Sequence, residues 1–347
     1  MDLRTTIEEI VESGFVGMQL RVNDPRGEWV GTAGVRELGS PERPPADGRF
    51  RIGSVTKTFT ATVVLQLVAE GRFGLDDSVA AHLPGFDLDE RITVRMLLQH
   101  TSGVFSYTGE VYEDGTIVPG ITVLGKEWVD SRFTTYQPEE LARLALSRPA
   151  RFEPGTDWSY SNSNYVLARL LVEHVTGRSL ADETHRLLLG PLGLTGTFVP
   201  GTQTEIPGPH AHAYYRYEED GQEKIVDVTS QNPSWIATGG DMISTTRDLH
   251  TFVSALMGGK LLPQSLLDEM RTPDPKIGYG LGVFVQPDGA LVFHNGGLTG
   301  YATLMYSTPD GGTTLTASVT YVDDAAMSLA TTFQKSVERL LTEVFSR

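Results

Sequence analysis

The sequence predicts an α/β (α+β) protein in which strands from both ends of the chain form one antiparallel sheet. Strand-like alternation appears near the N-terminus and again after Lys276, whereas the chain between them is mostly helical segments and long loops. The simplest arrangement is a sheet domain made of residues 1–75 and 245–347 and covered by the terminal helices. A mainly helical domain, residues 76–244, is inserted into it, and we expect the functional site at the interface of the two.

The N-terminal elements are a helix, two strands and a second helix. Apolar residues recur at helical spacing up to Gly14, which ends the first segment. Residues 15–22 and 29–35 are predicted strands, joined by a turn that contains Asn, Asp, Pro and Gly. After a loop rich in Pro and Gly, helical spacing predicts a second helix that begins near Ser54 and ends near Gly71.

The remaining elements form a helical middle and a strand-rich end. In the middle of the chain, amphipathic spacing and end signals predict helices over residues 93–99, 137–147, 164–175 and 249–257. Alternating or β-branched runs then predict an antiparallel meander with strands over residues 280–285, 290–294, 301–307 and 313–321. One long helix is predicted at the end, over residues 325–345.

Composition excludes several classes of protein. Of the 347 residues, 39% are hydrophobic and 21% are charged, which is typical of a globular chain. Lys and Arg number 28 and Asp and Glu number 44, so the net charge of −16 argues against a nucleic-acid partner, which needs a cationic face. The absence of cysteine removes disulfides, thiolate metal sites, Fe–S clusters and a cysteine nucleophile.

The sequence gives no sign of a membrane, a metal or a cofactor. No signal-peptide pattern is visible, and no apolar run reaches the ~20 residues of a membrane span. We therefore expect a cytoplasmic protein without a membrane partner, or a secreted one if a leader has been removed. His210 and His212 could form a metal pair, but no carboxylate or third histidine lies at ligand spacing.

Ser54 and Lys57 are the first candidates for chemistry. They lie one turn apart at the start of the second predicted helix, so their side chains share one face. A buried lysine near a helix N-terminus tends to lose its proton, because burial and the helix dipole both disfavour the ammonium. A neutral Lys57 could accept the serine proton, and neighbouring backbone N–H groups could receive an oxyanion. Chance supplies about one such Ser-x-x-Lys in a chain of this length, so ordinary helix-start residues are the alternative.

Two further segments carry residues suited to catalysis. Tyr160 precedes a predicted helix, and a phenol near Lys57 would have its pKa lowered by that cation and could act as a proton shuttle. Asn162 could bond a substrate amide. His294 ends a strand and is followed by Asn295 and two glycines, which permit close approach of a ligand. Taken singly, a packing tyrosine and a histidine in a turn would explain these positions equally well.

In combination, these segments resemble the penicillin-binding-type serine hydrolases, which include class C β-lactamases, esterases and the secreted DD-peptidases of actinomycetes. The resemblance covers almost the whole chain and rests on FRIGSVTKTFTATVVLQLVAEGRFGLDDSV, RITVRMLLQHTSG, PGTDWSYSNSNYVLARLL, GYGLGV and FHNGGLTGY. Tyr-Ser-Asn and His-Asn-Gly stand where other branches have Ser-Asp-Asn and Lys-Thr-Gly, and both are similar to the actinomycete DD-peptidase branch. A β-lactamase/transpeptidase-like fold is thereby implied.

The resemblance also implies a role for each motif residue. Ser54 would be the nucleophile, Lys57 its activating partner and Tyr160 the general acid/base. His294 would assist Tyr160 electrostatically. The backbone N–H groups of Ser54 and Gly297 would form the oxyanion hole. The substrate cleft would be lined by Asn162 and walled by the aromatic residues Tyr112 and Trp235.

One position departs from the family pattern. Carboxypeptidases of this branch carry an arginine just after the strand that contains the GLGL-type motif, where it grips the terminal carboxylate of the substrate. Here Phe284 falls at that position, so the carboxylate would lose its bidentate partner. A leaving group without a carboxylate is therefore expected: an internal amide, an amidated end, an ester or a thioester. A shift of the loop could instead bring in Arg247 or Arg271.

Several functions fit this resemblance. The first is a D-stereospecific peptidase that forms an acyl enzyme on Ser54 with a small peptide and lets water resolve it. The alternative is a stand-alone penicillin-binding-type thioesterase, which would take a peptide from a carrier-protein thioester and cyclise it on its own amine. A catalytically silent binder is the third, although the complete set Ser54, Lys57 and Tyr160 argues against it. A β-lactamase role is a weaker expectation, because slow deacylation is typical of the peptidase branch.

Overall fold

A six-stranded antiparallel sheet is the centre of the computed structural model, which describes residues 2–112 and 114–346. In chain order the strands are β1 (Gly17–Asp24), β2 (Gly27–Gly34), β3 (Phe50–Arg51), β4 (Glu110–Val111), β5 (Ile117–Val118), β6 (Tyr214–Glu219), β7 (Gln222–Asp227), β8 (Ile243–Ser244), β9 (Phe284–Val285), β10 (Val292–Leu298), β11 (Tyr301–Ser307), β12 (Thr314–Thr320) and β13 (Val322–Asp324). The large sheet has the order β2-β1-β12-β11-β10-β9. Strands from both ends of the chain therefore lie side by side, which confirms the predicted fold class.

Helices cover both faces of this sheet. They are α1 (Leu3–Glu12), α2 (Thr56–Ala69), α3 (Val79–His82), α4 (Val94–Gln99), α5 (Gly125–Ser131), α6 (Pro138–Leu146), α7 (Asn162–Thr176), α8 (Leu180–Thr184), α9 (Gly190–Leu192), α10 (Thr246–Met257), α11 (Gln264–Met270) and α12 (Ala330–Phe345). The terminal helices α1 and α12 pack on one face through buried apolar residues that include Ile7, Ile10, Met18, Leu304, Val337 and Leu340.

The opposite face of the sheet packs against α2 and α10. The rings of Phe59 and Phe252 stack between these two helices, with their centres 3.7 Å apart. The same hydrophobic cluster continues into α4 and α7 through Leu97, Leu98, Val166 and Leu171. The start of α2 therefore lies at the junction between the sheet and the helices inserted in the middle of the chain. The division into two domains stays a prediction.

A β-hairpin lies inside the segment that was predicted to be mainly helical, residues 76–244. Strands β6 and β7 form it, and β13 pairs with β6 in parallel, with Val322 opposite Tyr214. Its turn contains Asp220 and Gly221, with φ angles of 54° and 73°. An Asp-Gly pair of this conformation is typical of a two-residue hairpin. The Asp220-Gly221 pair is therefore a sequence signal for this hairpin, which the prediction of a mainly helical segment over residues 76–244 does not include.

Other element boundaries also differ from the prediction. Strand β9 has two residues rather than the six of 280–285, and β10 runs on to Leu298. The last helix begins at Ala330 instead of 325, because Met327 has a φ of 51°, which is incompatible with a right-handed helix. Among the described residues, no helix combines the length and apolar character needed to cross a membrane.

Candidate active site

Ser54 and Lys57 stand where the chain enters α2 through a single 3-10 turn, Gly53–Val55. Ser54 is partly exposed, whereas Lys57 is fully buried. Lys57 Nζ lies 3.2 Å from Ser54 Oγ, 2.8 Å from Asn162 Oδ1 and 2.6 Å from the carbonyl oxygen of Gly239. Three oxygen atoms thus hold the amine in one orientation against the serine hydroxyl.

The protonation state of Lys57 follows from these surroundings. Burial lowers the pKa of the amine to about 7, because desolvation disfavours the ammonium, and the charge of Asp241 opposes this shift. A neutral amine has two hydrogens, which the oxygens of Asn162 and Gly239 can accept. Its lone pair then faces the hydroxyl of Ser54. In this state Lys57 can take the serine proton.

Tyr160 reaches the same group from the segment just before α7. The Ser54 side chain is close enough to oppose part of the rise in the pKa of this phenol, and Lys57 Nζ lies 4.7 Å from the centre of its ring. Burial raises the pKa of Tyr160, so the predicted lowering of this pKa was wrong. The prediction considered the charge of Lys57 but not the loss of water around the phenol, which is the larger effect here. Tyr160 therefore remains a phenol that can donate its proton.

Two glycines bring β10 against the turn that carries Ser54. Gly53 has a φ of 50°, and a Cβ at this position would lie 2.6 Å from the backbone nitrogen of Gly297. A Cβ on Gly296 would lie 1.9 Å from the carbonyl oxygen of Ile52, so Gly296 makes room for the chain itself rather than for a ligand. Gly297 faces open space. Its N–H lies beside the Ser54 turn, where the family resemblance implies an oxyanion hole.

His294 lies in β10, and the side chain of Tyr279 lies between it and Tyr160. Its Nε2 is 3.2 Å from the hydroxyl of Tyr279, and its Nδ1 donates to the carbonyl oxygen of Asn295 at 2.7 Å. Burial, with a contribution from Lys57, lowers the pKa of His294 to about 3. The ring of Tyr279 lies 6.3 Å from that of Tyr160. A neutral imidazole thus stands behind Tyr279, and its assistance to Tyr160 stays a prediction.

The structure adds residues to this group that the sequence does not single out. His100 ends α4 with a φ of 63°, and its Nδ1 accepts from the backbone N–H of Ser161 and from Asn164 Nδ2, at 3.2 and 3.1 Å. Its ring lies 4.3 Å from that of Tyr160. A histidine directly after a short predicted helix is the only sequence signal for this contact. The positions of Tyr165 and Tyr279 beside it depend on tertiary packing.

Phe284 lies at the edge of the same aromatic cluster. Its ring contacts those of Tyr279 and His294, with centres 4.5 and 5.4 Å away, and stacks on Phe293 at 5.3 Å. The position where the resemblance expects an arginine is therefore apolar. The two alternative arginines are engaged elsewhere, Arg247 with Asp47 and Arg271 with Asp268.

The remaining predicted site residues occupy other places. Tyr112 is half-buried under the guanidinium of Arg151, 3.9 Å from its ring centre. Trp235 is half-buried in the 3-10 turn Pro233–Ile236, shortly before Gly239. Their role as walls of a substrate cleft stays a prediction.

The histidine pair shows no metal-binding arrangement. The rings of His210 and His212 lie 5.3 Å apart, and His212 Nδ1 is 2.6 Å from a carboxylate oxygen of Asp227. Within residues 2–112 and 114–346, no group of three or more His, Asp or Glu side chains is arranged to hold a metal ion. This pair is therefore explained by its contact with Asp227.

A cavity of about 310 Å³ opens beside Gly297, between β10, β13 and the start of α12. Asn295 lines it, and its Oδ1 is buried without a hydrogen-bond partner in the described part of the chain. Most of the other walls are apolar and include Phe15, Tyr321, Met327, Leu329 and Phe333. The cavity reaches the backbones of Gly296 and Gly297, which lie against the Ser54 turn, whereas Ser54, Lys57 and Tyr160 do not line it.

Comparison with known proteins identifies the family. The family described as Beta-lactamase matches residues 3–337. The chain belongs to the beta-lactamase family. It is 39% identical to a D-stereospecific amidohydrolase from Streptomyces sp., with 96% of each chain covered and a TM-score of 0.82. A D-amino acid amidase from Ochrobactrum anthropi SV3, solved with L-phenylalanine, shares the fold with 24% identity, a TM-score of 0.82 and coverage of 99% of this chain and 98% of that one.

Curated proteins to which the chain is similar include penicillin-binding protein 4* of Bacillus subtilis (strain 168). It is 27% identical over 289 residues, which cover 78% of this chain and 60% of that protein. The chain spans between 53% and 60% of the length of three curated relatives that it matches. The resemblance to penicillin-binding-type serine hydrolases is thereby confirmed as a family relationship.

Proposed function

We propose that this protein is a serine amidohydrolase that cleaves amide bonds in which the acyl residue has the D configuration. The observation that carries the proposal is the set of contacts around Lys57: a buried amine with a pKa of about 7, aimed at the hydroxyl of Ser54. The choice of a D-residue is supported by the 39% identity to the Streptomyces D-stereospecific amidohydrolase over 96% of the chain.

The acylation half-reaction moves one proton from Ser54 through Lys57 and Tyr160 to the leaving group. Neutral Lys57 takes the proton of Ser54 as the Ser54 oxygen bonds to the substrate carbonyl carbon. The carbonyl oxygen gains the electron pair and is stabilised by the backbone N–H groups of Ser54 and Gly297. When the C–N bond breaks, the leaving nitrogen takes a proton from the phenol of Tyr160, which Lys57 then replaces. The result is an ester on Ser54 and a free amine.

Deacylation reverses these roles with water in place of the amine. Water bonds to the acyl carbon, and its proton passes through Tyr160 to Lys57. The Ser54 oxygen then leaves and recovers its proton from Lys57. The high pKa of the Tyr160 phenol suits this relay, because the group begins and ends each half-reaction protonated.

Two features of the surroundings bear on the substrate. Phe284 offers an aromatic edge where a free carboxylate would need a cation, which favours leaving groups that lack a carboxylate. The apolar cavity beside Gly297 favours a substrate with a large apolar group close to the scissile bond. Amides of bulky apolar D-amino acids, and amidated or internal D-peptide bonds, meet both conditions.

A second candidate function is favoured by Phe284 alone. A pantetheine thiol has no carboxylate, so a peptidyl thioester on a carrier protein would also suit this apolar edge. The substrate amine would then replace water at the acyl enzyme and close a ring. A linear peptidyl thioester with a D-residue at the acyl position separates the two functions, since mainly free acid indicates hydrolysis and mainly cyclic product indicates transfer.

The decisive test compares D-phenylalanine amide with its L enantiomer. We expect ammonia release from the D-amide, no release in Ser54→Ala, and a mass increase on Ser54 when a labelled penicillin is added. Equal rates on both enantiomers would remove the stereospecific part of the proposal. Absence of both turnover and adduct in the wild type would overturn the hydrolase itself and leave a silent binder.

A further inference from the structure

The carbonyl oxygen that contacts Lys57 is presented by a strained turn. Thr238 has a φ of 61°, in the left-handed region that β-branched residues rarely adopt. Its backbone N–H donates to Asp241 Oδ1 at 2.9 Å, and the N–H of Gly239 donates to the carbonyl oxygen of Ile236 at 3.1 Å. These two bonds hold the turn in the conformation that points the Gly239 carbonyl at Lys57 Nζ.

The carboxylate that closes this turn is itself buried. Asp241 is 1% exposed, and its Oδ2 has no hydrogen-bond partner within the described part of the chain. A buried carboxylate with an unused oxygen is destabilising unless a positive charge offsets it. An asparagine could accept the same bond from Thr238 without this cost. The charge of Asp241 therefore calls for a function beyond closing the turn.

We propose that Asp241 is a positioning residue for the base: it orients the Gly239 carbonyl against Lys57 and keeps a negative charge behind the amine. The proposal rests on the proposed function, in which Lys57 accepts the serine proton. Its charge opposes the lowering of the Lys57 pKa by burial, so the amine stays basic enough to accept the serine proton near neutral pH.

The other titratable groups around this pair keep a constant charge near neutral pH. Burial lowers the pKa values of His100 and His294 and raises those of the tyrosines, so the histidines stay neutral and the phenols stay protonated. Burial raises the pKa of Asp241 to about 6. The titratable groups around Lys57 are His100, His294, Tyr160, Tyr165 and Asp241. The charged or titratable groups around Asp241 are Lys57, Arg169 and Tyr107. Asp241 and Lys57 are thus the two groups here whose charges change between about pH 5 and 8.

The first test measures Lys57 without any substrate. The chain has six lysines, so 13C labelling of the lysine side chains gives few resonances, and Lys57→Met assigns the one of interest. Asp241→Asn keeps the acceptor for Thr238 and removes the charge. We expect the titration midpoint of Lys57 to fall by about one pH unit in this variant, the usual size for loss of one nearby charge.

A matched control separates this effect from the loss of any buried carboxylate. Asp248 is also buried, at 7% exposure, and accepts from the backbone N–H of Gly196 and the hydroxyl of Thr197, both at 2.8 Å. Asp248→Asn should leave the Lys57 midpoint within about 0.2 pH units of the wild type. An equal midpoint in the wild type and Asp241→Asn, or an equal shift in Asp248→Asn, would overturn the proposal.

The second test follows the pH dependence of kcat/KM on a neutral ester substrate. In Asp241→Asn the acid limb should move to lower pH with Lys57, which gives about fivefold higher kcat/KM one pH unit below the wild-type midpoint. In Asp241→Leu, which also loses the bond to Thr238, the alkaline plateau should fall as well. A purely structural role predicts a lower plateau in both variants and no shift of the limb, and that result would contradict the proposal.

A reciprocal measurement covers the case in which Asp241→Asn does not fold. Because coupling between two sites is mutual, Lys57→Met should raise the midpoint of the Asp241 carboxyl resonance. An unchanged midpoint would refute the link between the two residues. The NMR results do not depend on turnover, so a protein with the predicted midpoints but no amidase activity would refute the proposed function and not this inference.

Discussion

Lys57 Nζ donates to Asn162 Oδ1 at 2.8 Å, and this bond joins two residues that are 105 positions apart in the sequence. The Asn162 amide is oriented from its other side, where Nδ2 donates to the hydroxyl of Thr108 at 3.2 Å. The two bonds together fix the orientation of the amide, with its oxygen directed at the Lys57 amine. The sequence predicts a substrate contact for Asn162, and the structure shows a contact with the base as well.

Asn162→Asp should move the activity of the enzyme to higher pH. A carboxylate 2.8 Å from the amine favours the ammonium, so the pKa of Lys57 rises by about 1–3 units. Less neutral amine is then present at pH 7, and kcat/KM there should fall about fivefold or more. A pH profile of kcat/KM checks this, because the loss must shrink above about pH 9. A loss of the same size at every pH would contradict this explanation.

Activity of the wild type should rise with pH through an acid limb centred near pH 7. The active form has Lys57 neutral, and burial lowers the pKa of this amine to about 7, so protonation below that pH removes the base. Lys57→Arg should lose about 10²- to 10⁴-fold in kcat at all pH values, since a guanidinium stays charged and cannot act as the base. Thermal unfolding of both proteins provides the control. A limb near pH 4 would show that a carboxyl group, rather than Lys57, governs the rate.

The sequence predicts those parts of the site that are local or carried by a motif. Ser54 and Lys57 share a helix face because of their spacing, and Tyr160 follows from its motif; the structure brings all three together. Asp241 and His100 were not predicted as site residues. Their links to Lys57 and Tyr160 join chain segments that are far apart in sequence, so no local pattern indicates them.

For the fold, too, features that depend on local sequence patterns are predictable, and features that depend on tertiary packing are not. Both termini show clear strand patterns, so a sheet built from them is predictable from periodicity, and the observed strand order confirms it. The pKa of Tyr160 could not be predicted, because the balance between the charge of Lys57 and the loss of water depends on burial. The boundary of α12 depends on the left-handed conformation of Met327, a residue with no sequence signal for it.

Phe284→Arg should create activity on peptides that end in a free D-Ala carboxylate. The Phe284 ring lies 5.4 Å from that of His294, so a guanidinium at this position could reach a carboxylate held beside the aromatic cluster. One charge-assisted hydrogen bond contributes about 1.5–3 kcal/mol, which corresponds to at least tenfold in kcat/KM. Release of D-Ala from a D-Ala-D-Ala peptide measures the gain, and Phe284→Leu controls for loss of the ring. If both variants behave alike, residue 284 does not face the leaving group.

Ala302→Leu should discriminate against large substrates. Ala302 pairs with Gly297 across β10 and β11 and lines the apolar cavity of about 310 Å³. A leucine there would occupy part of the space that we assign to an apolar group of the substrate, and a misfit of this kind typically changes kcat/KM by about 10- to 200-fold. We expect such a loss on D-phenylalanine amide and less than about threefold on D-alanine amide. Ala290→Leu, at an exposed position before β10, should affect neither substrate. Equal losses on the two amides in Ala302→Leu would mean that the cavity does not receive the substrate.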